Sequence, residues 1–299
     1  MNEKNRSLME LHLAVLLFGL SGLFGKFISL PSMVIVWGRV LFSSIFLMCV
    51  LFYFKKDLKL KKRNDYIYLI IMGVILAIHW TTFFQAIQMS TVAIGLLTFS
   101  TFPVFTTFLE PYFFKEKINA KDIIIAIITF LGVIFVVPKF NLGDDLTKGA
   151  IWGIISGFTY AILSMLNRKY VEEYSSVVIA FYEQSIATLV LVPAIFLYRP
   201  NFTGKDIGLL ILLGIVFTGI AHTLFINSLK NIKTQTAGII SSLEPVYGII
   251  LAVLLLGELP TIREVIGGVI ILGTSFYSTI TVKKINAKTS LNDNTGIIE

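Results

Sequence analysis

The chain carries one cysteine, Cys49, and three histidines among 299 residues. A single thiol excludes a disulfide framework and leaves no cysteine cluster for a structural metal. Charge is scarce as well: Asp, Glu, Lys and Arg make up 14% of the chain, against about a quarter in a soluble domain. No His-Glu-x-x-His run, phosphate loop or Gly-x-Ser-x-Gly elbow occurs. A zinc hydrolase, a phosphate-loop nucleotidase and an α/β-hydrolase therefore all lack their motif. No polar loop has the length of a nucleotide-binding domain. The chain reads as a non-enzyme, and no cofactor or metal is expected.

What is abundant is apolar surface. Hydrophobic residues make up 56% of the sequence, and the mean hydropathy is +0.83. The charges cluster and leave apolar runs of about 20 residues, the length that crosses a bilayer core as a helix. Ten spans fit, at 8–29, 32–54, 66–88, 91–114, 120–138, 149–168, 176–198, 206–229, 235–256 and 262–281. The first is expected to be a retained helix, because no small-residue cleavage site follows it. A net charge of +7 would suggest nucleic acid for a soluble protein; here it belongs to the flanks of membrane helices. With the N-terminus placed inside, 18 of the 25 Lys and Arg fall on the inner side and 5 on the outer, while Lys26 and Arg39 lie within helices. Both termini are therefore expected in the cytoplasm.

The chain also repeats itself. Pro103 and Glu116 recur as Pro245 and Glu258 at an offset of 142, and Leu131-Gly132 recurs as Leu272-Gly273 at 141. The expected units are residues 8–138 and 149–281, followed by a polar cytoplasmic tail, 282–299. Five helices per unit is an odd number, so the second copy enters the membrane from the opposite side. The fold class expected is all-α integral membrane, an inverted 5+5 repeat, the architecture through which secondary transporters alternate access. Phe102-Pro103 with Lys115-Glu116, Leu243-Glu244-Pro245 with Leu256-Gly257-Glu258, and the two Leu-Gly pairs resemble the drug/metabolite transporter superfamily. Within it, residues 8–281 are similar to the EamA-type ten-helix bacterial exporters. Glu110-Pro111 departs from that pattern. The resemblance implies a multi-pass protein of a prokaryotic cell membrane that exports small metabolites. It also implies that spans 1 and 6 line the site and that spans 5 and 10 lie at the periphery.

A charge inside a bilayer costs about 3 kcal/mol on insertion scales, which makes each one a functional candidate. The set is Lys26, Arg39, Glu110, Glu183 and Glu244. Lys26 and Arg39 could hold a substrate carboxylate; alternatively Lys26 snorkels to the surface and Arg39 caps a helix. Glu183 is a proton-coupling candidate, or the partner of Arg39 or Lys169. Glu244, before Pro245, is a candidate for substrate and proton, or satisfies Ser241 and Ser242. His222 is a further proton-coupling candidate, and His79, Trp80, Tyr160 and Tyr247 are candidate substrate-binding residues. Pro103 and Pro245 are candidate hinges. Glu116 and Glu258 are expected to pair with Lys121 and Arg263. Gly267, Gly268 and Gly273 suit close packing, within a subunit or in a homodimer. The substrate expected is an amino acid or related compound, and the partners are that substrate and the lipid bilayer. The alternatives are an organic-cation exporter, an intramembrane enzyme and a membrane scaffold. The orientation is checked by fusion at Glu299: a fluorescent protein there is expected to fluoresce and alkaline phosphatase to stay inactive, whereas active phosphatase would reverse the reading.

Overall fold

The computed structural model describes residues 3–114, 120–137, 141–232, 237 and 240–277. The side chain of Glu110, the Lys115-Glu116 pair and the tail 282–299 lie outside the described residues. The elements are helical throughout, with no strand among the described residues. They are α1 (Glu3–Gly22), α2 (Phe24–Phe27), α3 (Ser32–Tyr53), α4 (Arg63–Met89), α5 (Val92–Phe99), α6 (Phe102–Phe114), α7 (Ala120–Val136), α8 (Asp145–Tyr170), α9 (Ser176–Tyr198), α10 (Gly204–Gly214), a π-helical segment (Ile215–Ile220), α11 (Ala221–Ser228) and α12 (Glu244–Leu256). A last helix, α13, covers 262–277. Seven stretches among the described residues are long and apolar enough to cross a bilayer, while Ile123–Val136 and Glu244–Leu256 are shorter apolar helices.

Local chemistry sets several boundaries. Thr203 and Asp206 form a capping box at the start of α10, with Thr203 Oγ1 accepting from Asp206 N at 3.1 Å and Asp206 Oδ2 accepting from Thr203 N at 3.0 Å. Thr261 and Glu264 make the same reciprocal pair at the start of α13. Gly257, at φ +68°, ends α12 in the left-handed conformation that favours glycine.

The expected proline kinks take a different form. The fourth apolar run is broken at Ser100–Thr101, and the chain turns again at Ser242–Leu243, 142 residues later. Each proline sits in the first turn of the helix that follows, where its missing N–H costs no intrahelical bond. The interruption therefore precedes the proline. The carbonyl of Ser100 accepts from Ser275 Oγ at 3.0 Å, which satisfies a backbone group that a membrane interior would not.

Helices from the first half pack on helices from the second: α1 on α11 and α12, α3 on α9, α4 on α8 and α9, and α5 on α8 and α12. The main apolar core runs along these contacts. A smaller cluster joins Ile94 and Leu97 of α5 to Val133 and Val136 of α7 and Ile271 of α13. The outward faces of α7 and α13 are apolar, with Ile124, Ile127, Val265 and Val269 exposed. The two helices touch where both lack a side chain: a Cβ on Gly267 would lie 2.6 Å from the Gly132 carbonyl oxygen. Gly273 meets nothing within 4 Å among the described residues, so of the glycines expected to pack, it makes no close contact with them. Gly267→Leu is expected to destabilise the protein by about 1–3 kcal/mol through overpacking, and Gly273→Leu to leave it unchanged, read as thermal midpoints in detergent. A loss at Gly273 would place a second subunit against it.

Candidate functional site

Arg39 is the centre of the site. It sits in α3 and is 1% exposed, the largest of the fully buried side chains. Its guanidinium lies 4.0 Å above the Trp80 ring centroid and 5.2 Å from that of Phe84, so cation–π attraction replaces part of its lost hydration. Nε donates to Thr218 Oγ1 at 2.9 Å. Nη1 and Nη2 are buried with no hydrogen-bond partner among the described residues.

Around it is a cavity of about 20 Å³, lined by Phe18, Ser21, Arg39, His79, Trp80, Phe83, Phe99, Tyr160, His222 and Glu244. This is room for about one water molecule. The lining comes from α1, α3, α4 and α5 on one side and α8, α11 and α12 on the other. Aromatic faces dominate: the Tyr160 ring lies 5.0 Å from His79, 5.3 Å from Phe99 and 4.9 Å from Phe102. Glu244 is buried at the first turn of α12, where the helix dipole favours a negative charge.

The two histidines play different parts. His79 Nδ1 lies 3.1 Å from the Ser156 carbonyl oxygen. The same nitrogen lies 2.9 Å from Ser156 Oγ, so Ser156 of α8 holds the ring through both its backbone and its hydroxyl. His222 Nε2 lies 2.7 Å from Glu183 Oε2, and both side chains are almost completely buried. His222 lines the cavity and Glu183 does not. The carboxylate thus stands behind the imidazole, with its second oxygen unpartnered. The partner of Glu183 is this histidine, in place of the Arg39 or Lys169 weighed from the sequence.

Two sequence candidates lie elsewhere. Lys26 Nζ donates to the Ser90 carbonyl at 2.6 Å and lies 3.7 Å from Glu258 Oε1. Glu258 Oε2 accepts from Val92 N at 2.9 Å, and Glu264 Oε1 accepts from Thr91 Oγ1 at 2.9 Å. Glu258 of the α12–α13 turn and Glu264 of the first turn of α13 thus cap α5, while Lys26 ties the end of α2 to Glu258. Glu258 makes these contacts rather than serving only its neighbour Arg263. Tyr247 is half-buried, packed beside Gly19 of α1, and is not a cavity-lining residue. At the opposite end, Tyr174 Oη accepts from Lys61 N at 2.9 Å and donates to Asp65, and Tyr182 Oη donates to the Leu58 carbonyl at 2.9 Å. Desolvation and the bond to Asp65 hold the Tyr174 phenol above its ordinary pKa. The sequence reading missed Thr218, Ser156 and Phe99. The only trace of Thr218 in the sequence is a polar residue between Gly214 and Gly219 in an apolar run.

Comparison with known proteins adds the family. The EamA-like transporter family matches residues 8–137 and again 147–280. The chain belongs to the EamA-like transporter family. It is 26% identical over 277 residues to an uncharacterized transporter of Bacillus subtilis (strain 168), covering 90% of this chain and 88% of that one. It is 24% identical over 259 residues to a protein of Rickettsia bellii (strain RML369-C) named as an S-adenosylmethionine uptake transporter, covering 87% of each. A protein solved by crystallography shares the fold, with a TM-score of 0.67 and 14% identity over 94% of this chain and 98% of that one. This EamA-family chain is a multi-pass membrane protein and a small-molecule transporter, which fits the reading of a non-enzyme.

The Lys26 lock has a consequence for access. In a Cys49→Ser background, a cysteine replacing Ser21 is expected to react slowly with a soluble maleimide in detergent, and faster when Glu258→Gln is added. Equal rates would show that the lock does not close the cavity.

Proposed function

We propose that the chain carries small zwitterionic metabolites, amino acids or their derivatives, by alternating access between two halves arranged as an inverted five-plus-five repeat. One observation carries the substrate class: a buried arginine with two unpartnered nitrogens and a buried glutamate line one aromatic cavity. The substrate carboxylate goes to Arg39. Its cationic group goes to Glu244, and its apolar part goes against Trp80, Phe83, Phe99 and Tyr160. The substrate named for the Rickettsia relatives has all three parts, being an amino acid with a sulfonium and an aromatic base.

The repeat is supported by packing that survives exchange of the halves: α1 on α11 answers α4 on α8, while α3–α9 answers itself. A cavity of about 20 Å³ holds no metabolite, so loading requires the helices to part. The interruptions before Pro103 and Pro245 are the places where α6 and α12 can swing. His222 and Glu183 form the proton-coupling pair, in contact with the cavity through the imidazole alone. Export is the net direction by likeness to EamA-type exporters. The relatives' name speaks for uptake, and a reversible carrier follows its gradients. Glu244 with its aromatic neighbours also suits an organic cation, but Arg39 in the same cavity repels one.

The test is flux across proteoliposomes carrying a mixed pool of amino acids, S-adenosylmethionine and organic cations, read by mass spectrometry with and without a pH gradient. Selective movement of the carboxylate-bearing compounds is expected, and Glu244→Gln is expected to abolish or uncouple it while the protein still inserts. Selective movement of the cations would overturn the assignment of substrate class.

A further inference from the structure

A π-helical turn interrupts the helix pair α10–α11 at Ile215–Ile220, and such turns are rare and concentrate at functional sites. This one is seated on Arg39. A Cβ on Gly214 would lie 2.7 Å from the Arg39 carbonyl oxygen, and a Cβ on Gly219 would lie 2.9 Å from Ser43 Oγ. Gly214 immediately precedes the turn and Gly219 lies within it, and their bare backbones let it lie directly against α3.

The turn delivers one polar group. Thr218 is fully buried. Its hydroxyl donates to the Leu213 carbonyl at 2.7 Å, five residues back, where an α-helical threonine would reach a carbonyl three or four residues back. That bond uses the hydroxyl's only proton, so the oxygen meets Arg39 with a lone pair, and Nε donates to it at 2.9 Å. Arg39 is then fixed at three places: at Nε by Thr218, on one ring face by Trp80 and at longer range by Phe84. The two Nη groups are left over, buried and unpartnered. A planar guanidinium held through Nε offers its Nη edge as a fork for a planar anion.

We infer that Thr218 is a positioning residue for substrate selection. The π turn places its hydroxyl, the hydroxyl fixes Arg39, and the fixed Nη edge selects a carboxylate by two parallel hydrogen bonds. The last step rests on the zwitterion reading above; the first two do not.

Two measurements on the full chain in lipid nanodiscs separate these. The first is hydrogen exchange at the Arg39 Nε–H, followed by NMR with ¹⁵N-labelled arginine and assigned by its loss in Arg39→Lys. It is expected to be slow in the wild type, faster in Thr218→Val, which keeps the shape and removes the hydroxyl, and slow again in Thr218→Ser. Slow exchange in Thr218→Val would overturn the positioning role. The second is transport of S-adenosylmethionine against its decarboxylated analogue. Thr218→Val is expected to raise KM for the carboxylated probe about tenfold, the loss of one charge-assisted contact, with maximal rate and the decarboxylated probe little changed. Thr218→Ser is expected to restore the wild-type KM. Equal effects on both probes would overturn carboxylate selection. Wild type that moves neither probe would count against the substrate reading, and the exchange measurement then decides the role of Thr218 by itself.

Discussion

The structure depends on a guanidinium held in the middle of a membrane protein with no opposite charge bonded to it. Arg39 cannot shed its proton as a buried lysine can, so the protein must accommodate a cation in a low-dielectric interior. It does so with a hydroxyl on Nε and an indole face, and it leaves the Nη edge bare. The neighbouring elements are shaped by that need. The π turn exists where α10–α11 meets α3 at Arg39, and α4 turns Trp80 towards it. Glu244 enters at a helix start on the cavity wall. An arrangement aimed at stability alone would bond both Nη groups. In the reading proposed above, a substrate carboxylate fills that edge.

Closure of the two ends follows a different chemistry from the centre. At the Lys26 end, carboxylates from one turn cap the helix start of another, and each bond joins residues more than 60 positions apart. At the Lys62 end, the basic loop is held by the hydroxyls of Tyr174 and Tyr182. These are polar bonds at the rim, partly exposed and separable one at a time. The centre is aromatic and buried, around a cavity of about 20 Å³. Polar contacts at the rims around a buried aromatic centre fit the carrier reading proposed above.

Much of this was legible in the sequence because it was written in period and spacing. The long apolar runs, the charges inside them and the offset of 142 locate Arg39, Glu244, His79, Trp80, Tyr160 and His222, and the structure gathers all six around one cavity. The EamA-type motifs gave the family that matches. What could not be read was pairing. Glu183 with His222 and Arg39 with Thr218 join residues 39 and 179 positions apart, and nothing in either local pattern names its partner. The helix interruption was placed at the proline because proline breaks a continuous helix. The chain turns before it, and the proline becomes a helix start. Lys26 was weighed as a cavity charge or as one that snorkels outward, and at the end of α2 its long stem carries the ammonium to Ser90 and Glu258.

The central claim is that Arg39 is retained for binding and at some cost to stability. Arg39→Met tests it directly, because methionine fills much of the same volume without the charge. Replacing a buried charge by a well-packed apolar residue is often neutral or stabilising. The variant is therefore expected to have a thermal midpoint in detergent equal to or above that of the wild type, together with loss of flux for carboxylate-bearing compounds. A variant that melts well below the wild type, or one that still carries those compounds at the wild-type rate, would contradict it.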